Sequence, residues 1–116
     1  MGASGVRTLP LVAVLYRVPL FVEALTAAFD GLAEVQPVKL GDGDVDGLLE
    51  ALSPDAVIVE ALEVTTAGAG VPAVHVCLES GAVRARKDGE WTDVGVDLSP
   101  EAIRNALLRA MLRSDS

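Results

Sequence analysis

The chain has 116 residues, of which 51% are hydrophobic, 22% are charged and 3% are aromatic, and its formal net charge is −8. This length and apolar content suffice for a single domain with a hydrophobic core. The negative charge and the few aromatic residues argue against direct nucleic-acid binding, since phosphates attract cations and unpaired bases stack on aromatic rings.

Two features of the sequence bear on the cellular location of the protein, namely its single cysteine and its lack of a long apolar run. Cys77 has no second cysteine to pair with, which is usual in the reducing cytoplasm. The apolar stretch 9–22 contains Arg17 and Pro19 and is shorter than the roughly 20 residues of a membrane-spanning helix. We therefore expect a cytoplasmic protein that does not bind membranes. Its predicted parts are a flexible leader over 1–8, a single domain over 9–113 and a tail over 114–116.

The first half of the chain alternates between strands and helices. The apolar run 11–15 predicts a buried strand, and Pro19 then begins a helix with apolar residues at helical spacing. These elements are followed by a short strand over 35–40, a helix over 45–52 and a second buried strand over 54–60. Such alternation is typical of a parallel sheet with helices on both faces and a ligand crevice at the carboxyl ends of the strands.

The second half departs from this alternation. Only 61–71 separate the third strand from the fourth, at 72–78, and glycines in that connection exclude a long helix. The Asp88-Gly89 dipeptide predicts a tight turn between strands 83–87 and 90–94.

The register of this predicted hairpin pairs complementary side chains. Lys87 faces Glu90, Arg84 faces Asp93, and Arg86 faces Trp91, so opposite charges and a cation–π contact meet across the strands. Beyond the hairpin, Ser99 caps a final helix over 103–112, with Pro100 at the first helical position.

Two strand ends carry residues that resemble a known family. The first strand is followed by Tyr16-Arg17-Val18-Pro19-Leu20-Phe21, and the third ends at Glu60. This pattern resembles the receiver domain of bacterial response regulators, especially the kind that precedes LuxR-type DNA-binding domains. The resemblance implies an α/β fold with a three-layer, flavodoxin-like, mostly parallel sheet. Here that fold is shortened, and a β-hairpin replaces the penultimate helix.

The chain departs from the family at each functional position. The resemblance places the family's acidic pair at Tyr16 and Arg17, its acceptor aspartate at Glu60, its switch threonine at Cys77 and its lysine near Val96. None of these positions keeps the family's residue type, which implies a degenerate phosphoacceptor pocket without metal or cofactor. We predict that the Arg17 guanidinium contacts the Glu60 carboxylate in place of a bound cation.

Other candidate sites have simpler interpretations. The stretch 42–47 imitates the start of a calcium-binding loop, but its twelfth position is Ser53 instead of a bidentate glutamate. His75 and Cys77 share one face of a strand, yet the chain has no further histidine or cysteine to complete a zinc site. We interpret His75 as a buried histidine with a satisfied ring nitrogen and Cys77 as a small core residue.

The final helix predicts a homodimer. Its apolar stripe of Ile103, Leu107, Ala110 and Met111 is expected to face the sheet, while Leu108 and Leu112 widen the apolar surface beyond what one sheet face covers. The predicted interface consists of Ile103, Leu107, Leu108, Met111 and Leu112. The alternative is a monomer in which the hairpin covers Leu108 and Leu112.

These features predict an atypical receiver-like regulatory or protein-interaction domain that works without phosphorylation, in transcriptional or signal regulation. One alternative is a small-molecule-binding domain or minor enzyme that uses Glu60, Tyr16 and His75 in the strand-end crevice. Another is a dimerisation adaptor that does not switch. We do not expect an enzyme, because no acid, base and nucleophile can be assembled from the chain with any specificity.

Overall fold

The structure, a computed structural model, describes residues 9–41, 45–61, 71–87, 90–95 and 98–113, with the side chains of 87, 95, 112 and 113 left out. This part of the chain forms an α/β fold with six strands and three helices. The elements are β1 (Leu11–Tyr16), α1 (Pro19–Ala28), β2 (Glu34–Lys39), α2 (Val45–Leu52), β3 (Ala56–Glu60), β4 (Ala73–Cys77), β5 (Ala82–Lys87), β6 (Glu90–Gly95) and α3 (Pro100–Arg113).

The strands form one mixed sheet in the order β2-β1-β3-β4-β5-β6. The first four strands in this order are parallel, as the alternation of strands and helices predicts. The last two pairings, β4 with β5 and β5 with β6, are antiparallel. The sheet therefore divides into a parallel part at one end and an antiparallel hairpin at the other.

The hairpin has the register predicted from the sequence. Lys87 lies opposite Glu90, Arg86 opposite Trp91 and Arg84 opposite Asp93. The Arg86 guanidinium lies 5.3 Å from the centre of the Trp91 ring, and Arg84 Nε donates to Asp93 Oδ1 at 3.1 Å. The predicted cation–π contact and the predicted charge contact between Arg84 and Asp93 are both confirmed.

Helices pack on both faces of the sheet because alternate residues of the buried strands point to opposite sides. On one face, Val12 and Val14 of β1 join a cluster with residues of α1 and α3, including Leu25 and Ile103. On the other face, neighbouring β1 residues join a cluster with Leu49 of α2. Among the described residues, no helix has the length and apolar character needed to span a membrane.

The ends of α2 and α3 follow from local sequence. Ser99 Oγ accepts a hydrogen bond from the Ala102 N–H at 3.1 Å, and Pro100 begins α3 as expected. Ser53 follows α2 with a φ of 49°, in the left-handed region, and its N–H donates to Leu49 O at 2.9 Å. Pro54 then prevents the helix from continuing.

Two residues of the predicted interface on the final helix prove to be core residues. Ile103 and Leu107 are 0% exposed because the sheet and α1 cover them, so no partner could contact them. Leu108 and Met111 are partly buried against the same core and keep some surface. The side chain of Leu112 lies outside the described part of the chain. The apolar stripe thus faces the sheet as predicted, and the homodimer itself stays a prediction.

Candidate functional site

The candidate site lies where β1 and β3 end. These two strands are parallel neighbours, and Leu15 of β1 lies opposite Val59 of β3. The carboxyl ends of parallel strands meet at one edge of the sheet, which is where open α/β sheets bind ligands. Arg17, just after β1, and Glu60, the last residue of β3, are therefore brought to the same place.

Four donors surround the Glu60 carboxylate. Its Oε1 accepts the backbone N–H of Arg17 at 2.6 Å and that of Val18 at 2.9 Å. Its Oε2 accepts Arg17 Nε at 2.8 Å, and Arg17 Nη2 lies 2.8 Å from the same oxygen. The predicted contact between Arg17 and Glu60 is confirmed, and we refer to it as the Glu60–Arg17 pair.

Burial makes this pair different from an ordinary surface ion pair. The Glu60 side chain is 0% exposed and that of Arg17 is 36% exposed. An ionised carboxylate removed from water costs several kcal/mol unless other groups replace its hydration. Here one guanidinium and two backbone amides supply that replacement with short, charge-assisted hydrogen bonds.

Glu60 also completes the start of α1. Val18 precedes this helix and provides no side-chain cap, and Pro19 at the first helical position has no N–H to donate. The carboxylate accepts the Val18 N–H and places its negative charge next to the positive end of the helix. A residue of β3 thus does the work of a capping residue for α1.

The arrangement limits the chemistry that Glu60 can perform. A carboxylate has about four lone-pair sites on its two oxygens, and three hydrogen bonds occupy most of them here, with the Arg17 guanidinium lying against Oε2. A metal ion or a reaction partner would have to displace this guanidinium to reach Oε2. Within the described residues, no group of three histidine, cysteine, aspartate or glutamate residues could hold a metal ion.

The other predicted pocket residues do not join this pair. Tyr16 is partly buried and packs against the core on the α1 and α3 face. Cys77 ends β4, and Val76, not Cys77, lies opposite Glu60. Val96 lies outside the described residues, as do the aspartates at 42 and 44 of the calcium-like stretch.

Cys77 is buried but has a polar neighbour. A hydrogen bond from the Ser80 hydroxyl, together with one from the Ser80 backbone, lowers the pKa of the Cys77 thiol because both stabilise the thiolate. The Cys77 carbonyl accepts the Gly81 N–H at 2.8 Å in the turn that leads into β5. Its packing agrees with the interpretation of Cys77 as a small core residue.

A second polar cluster lies near the hairpin, on the face of the sheet that α2 covers. His75 is buried, its Nε2 lies 3.0 Å from Ala61 O, and its ring meets that of Trp91 edge-on at 6.1 Å. Arg86 is buried as well and donates from Nη2 to Val71 O at 3.1 Å. The satisfied ring nitrogen predicted for His75 is confirmed.

The sequence predicted the contact of Arg86 with Trp91 but not the burial of Arg86. The basic run at 84–87 has the appearance of a solvated strand face, yet burial lowers the pKa of Arg86 by disfavouring its charged form. The sequence feature that indicates this burial is Trp91, which lies directly opposite Arg86 in the hairpin. A large ring opposite an arginine provides the surface on which a guanidinium can lie when it is removed from water.

No protein-family model, no curated protein and no solved structure matches the chain. The Glu60–Arg17 pair is therefore the observation that bears most directly on the function of the chain. It is an intramolecular charge contact at the edge of the sheet where parallel α/β proteins bind their ligands.

Proposed function

We propose that the chain is a receiver-like regulatory or protein-interaction domain that works without phosphorylation, in transcriptional or signal regulation in the cytoplasm. The observation that carries this proposal is the Glu60–Arg17 pair. In the family that the sequence resembles, this edge of the sheet holds a divalent cation and an acceptor aspartate. Here Arg17 supplies the positive charge and Glu60 the negative one, so neither has to come from outside.

The sheet order supports the same proposal. The order β2-β1-β3-β4-β5 agrees with the 2-1-3-4-5 order of flavodoxin-like sheets. Those sheets are parallel throughout, whereas β5 here runs antiparallel and pairs with β6. We interpret the fold as a flavodoxin-like sheet, shortened so that a hairpin stands in place of the penultimate helix.

The alternative of a small enzyme or ligand-binding domain finds less support. It needs Glu60, Tyr16 and His75 to converge in one crevice. Tyr16 packs on the α1 and α3 face, whereas His75 contacts Trp91, which packs on the α2 face. His75 also lies within β4 and not at its carboxyl end, so the three side chains do not converge at one edge of the sheet.

The proposal is tested with reagents that activate ordinary receivers. We expect beryllofluoride or acetyl phosphate, each with millimolar magnesium, to leave the amide NMR spectrum unchanged, because two backbone amides and the Arg17 guanidinium already hold the Glu60 carboxylate. Signals of Arg17, Val18 and Glu60 report on the site directly.

A matched control restores the missing acids. The triple variant Tyr16→Asp, Arg17→Asp, Glu60→Asp rebuilds an acidic pocket, and magnesium is expected to shift its signals at these three positions. Magnesium-dependent shifts around Glu60 in the unaltered chain would overturn the proposal.

A further inference from the structure

The backbone that follows Glu60 is held by β4. The N–H of Ala61 donates to Val76 O at 3.1 Å, and Ala61 O lies 3.0 Å from Nε2 of His75. A carbonyl oxygen only accepts hydrogen bonds, so Nε2 carries the proton and the imidazole is the donor. Glu60 itself lies opposite Val76 in the parallel register. β4 therefore fixes the point and the direction from which the Glu60 side chain extends.

The hydrogen bond from His75 to Ala61 is made by a buried side chain. His75 lies opposite Val59 in the register between β3 and β4, so its imidazole extends two residues along β3 to meet Ala61 O. His75 is 2% exposed, and water therefore does not compete for its ring nitrogens. Loss of such a donor costs more than loss of a hydrogen bond at the surface, because water does not replace it.

The hairpin orients the imidazole of His75. Trp91 of β6 meets this ring edge-on, with the ring centres 6.1 Å apart and the ring planes at 73°. The other neighbour of Trp91 is the Arg86 guanidinium, 5.3 Å from the centre of its ring, and Arg86 Nη2 donates to Val71 O at 3.1 Å. Ala61 and Val71 lie at the two ends of the connection between β3 and β4. The His75 and Arg86 side chains, both in contact with Trp91, thus hold both ends of this connection.

We propose that His75 is a positioning residue for the Glu60–Arg17 pair, and that it couples this pair to the hairpin. Trp91 orients the imidazole, the imidazole holds Ala61 O, and Ala61 sets the direction in which the backbone leaves Glu60. Continuous chains of packed side chains and hydrogen bonds carry such coupling between sites. The inference rests on the proposed function, because it makes the hairpin part of the regulation of the same site.

The geometry of the pair makes it sensitive to the backbone at Glu60. One carboxylate oxygen, Oε1, accepts the N–H of Arg17 at 2.6 Å and that of Val18 at 2.9 Å, while Oε2 meets the Arg17 guanidinium. Hydrogen bonds weaken steeply as their angle departs from linearity. A small rotation of the backbone at Glu60 therefore weakens all of these bonds together, and the hold of His75 on Ala61 prevents this rotation.

Two substitutions at His75 separate hydrogen bonding from packing. His75→Met keeps a large side chain but removes the donor, whereas His75→Gln keeps a side-chain N–H for the Ala61 carbonyl. In His75→Met, hydrogen exchange of the Arg17 and Val18 amides should accelerate by about tenfold relative to that of Val14, in the buried part of β1. His75→Gln should restore the exchange rates of the unaltered chain, which a loss of packing alone would not predict.

A substitution in β6 tests the coupling to the hairpin. Trp91→Leu removes the aromatic edge that orients His75 and leaves the residues of the pair unaltered. The amide and Nε–H NMR signals of Arg17 should shift in this variant, in the same direction as in His75→Met. Val94→Ala changes an exposed side chain of the same strand and serves as the matched control, in which these signals should stay in place.

Three results would overturn the proposal. The first is unchanged exchange of the Arg17 and Val18 amides in His75→Met, and the second is a His75→Gln variant that behaves like His75→Met. The third is a Trp91→Leu variant without a shift of the Arg17 signals, which decides the matter alone where His75→Met does not fold. Magnesium binding to the unaltered chain would instead overturn the proposed function, and would leave these comparisons between variants as they are.

Discussion

Two ion pairs in this chain have similar lengths and different surroundings. Arg17 lies 2.8 Å from Glu60 in the parallel part of the sheet, and Arg84 lies 3.1 Å from Asp93 in the hairpin. The Glu60 side chain is 0% exposed, whereas that of Asp93 is 82% exposed. When an exposed charge loses its partner, water hydrates it at little cost in free energy. When a buried charge loses its partner, no water replaces the lost interaction and the folded state is destabilised. The comparison teaches that burial, and not distance, decides how much each pair matters.

The largest difference between the pairs is expected when their arginines are removed. Arg17→Met leaves a buried carboxylate without its counter-charge and should lower the free energy of unfolding by about 3–5 kcal/mol. Arg84→Met, the matched change in the hairpin, should cost only about 0–1 kcal/mol. Urea unfolding of the two variants measures both values. Equal, small losses would mean that the Glu60–Arg17 pair is no more than a surface contact.

Substitution of Glu60, the acid of the buried pair, should have a smaller effect on the free energy of unfolding. Glu60→Gln removes the charge that Arg17 and the start of α1 both use, and should cost about 1–3 kcal/mol. Glu60→Asp keeps the charge and shortens only its reach, so it should cost less. Thermal melts of the two variants give the order. A larger loss for Glu60→Asp would show that geometry, and not charge, limits this site.

The smallest effect is expected for the acid of the exposed pair. Asp93→Asn removes the ion pair while keeping a polar side chain of the same size, and should change the stability of the monomer by less than about 1 kcal/mol. The measurement is urea unfolding at a concentration where the chain is monomeric. A loss comparable with that of Glu60→Gln would remove the distinction between the two regions.

The parts of the structure that follow from local sequence were predictable. The bounds of α2 agree with those predicted, because acidic residues and Pro54 mark its start and its end. The hairpin register follows from the Asp-Gly turn and from complementary side chains, which indicate the same pairing. The meeting of Arg17 and Glu60 follows from the rule that parallel strands end at a common edge.

The features that could not be predicted from the sequence depend on contacts between distant parts of the chain. The two backbone amides that bond Glu60 are positioned by the path of the chain between β1 and α1, which no residue pattern specifies. Arg86 has the charge of a surface residue and is buried by neighbours from other elements. Ile103 and Leu107 are apolar whether they face a partner or the sheet, and only the assembled fold shows that the sheet covers them.

The position of Glu60 also has a consequence for the rate of unfolding. Its contact with Arg17 joins residues 43 positions apart in sequence, so it can form only after β1 and β3 have come together. Contacts made after the folding transition state leave the folding rate unchanged and slow unfolding. We expect this side-chain contact to close after that transition state and so to act mainly on the lifetime of the folded chain: a stopped-flow comparison should find that Glu60→Gln accelerates unfolding while refolding proceeds at its usual rate.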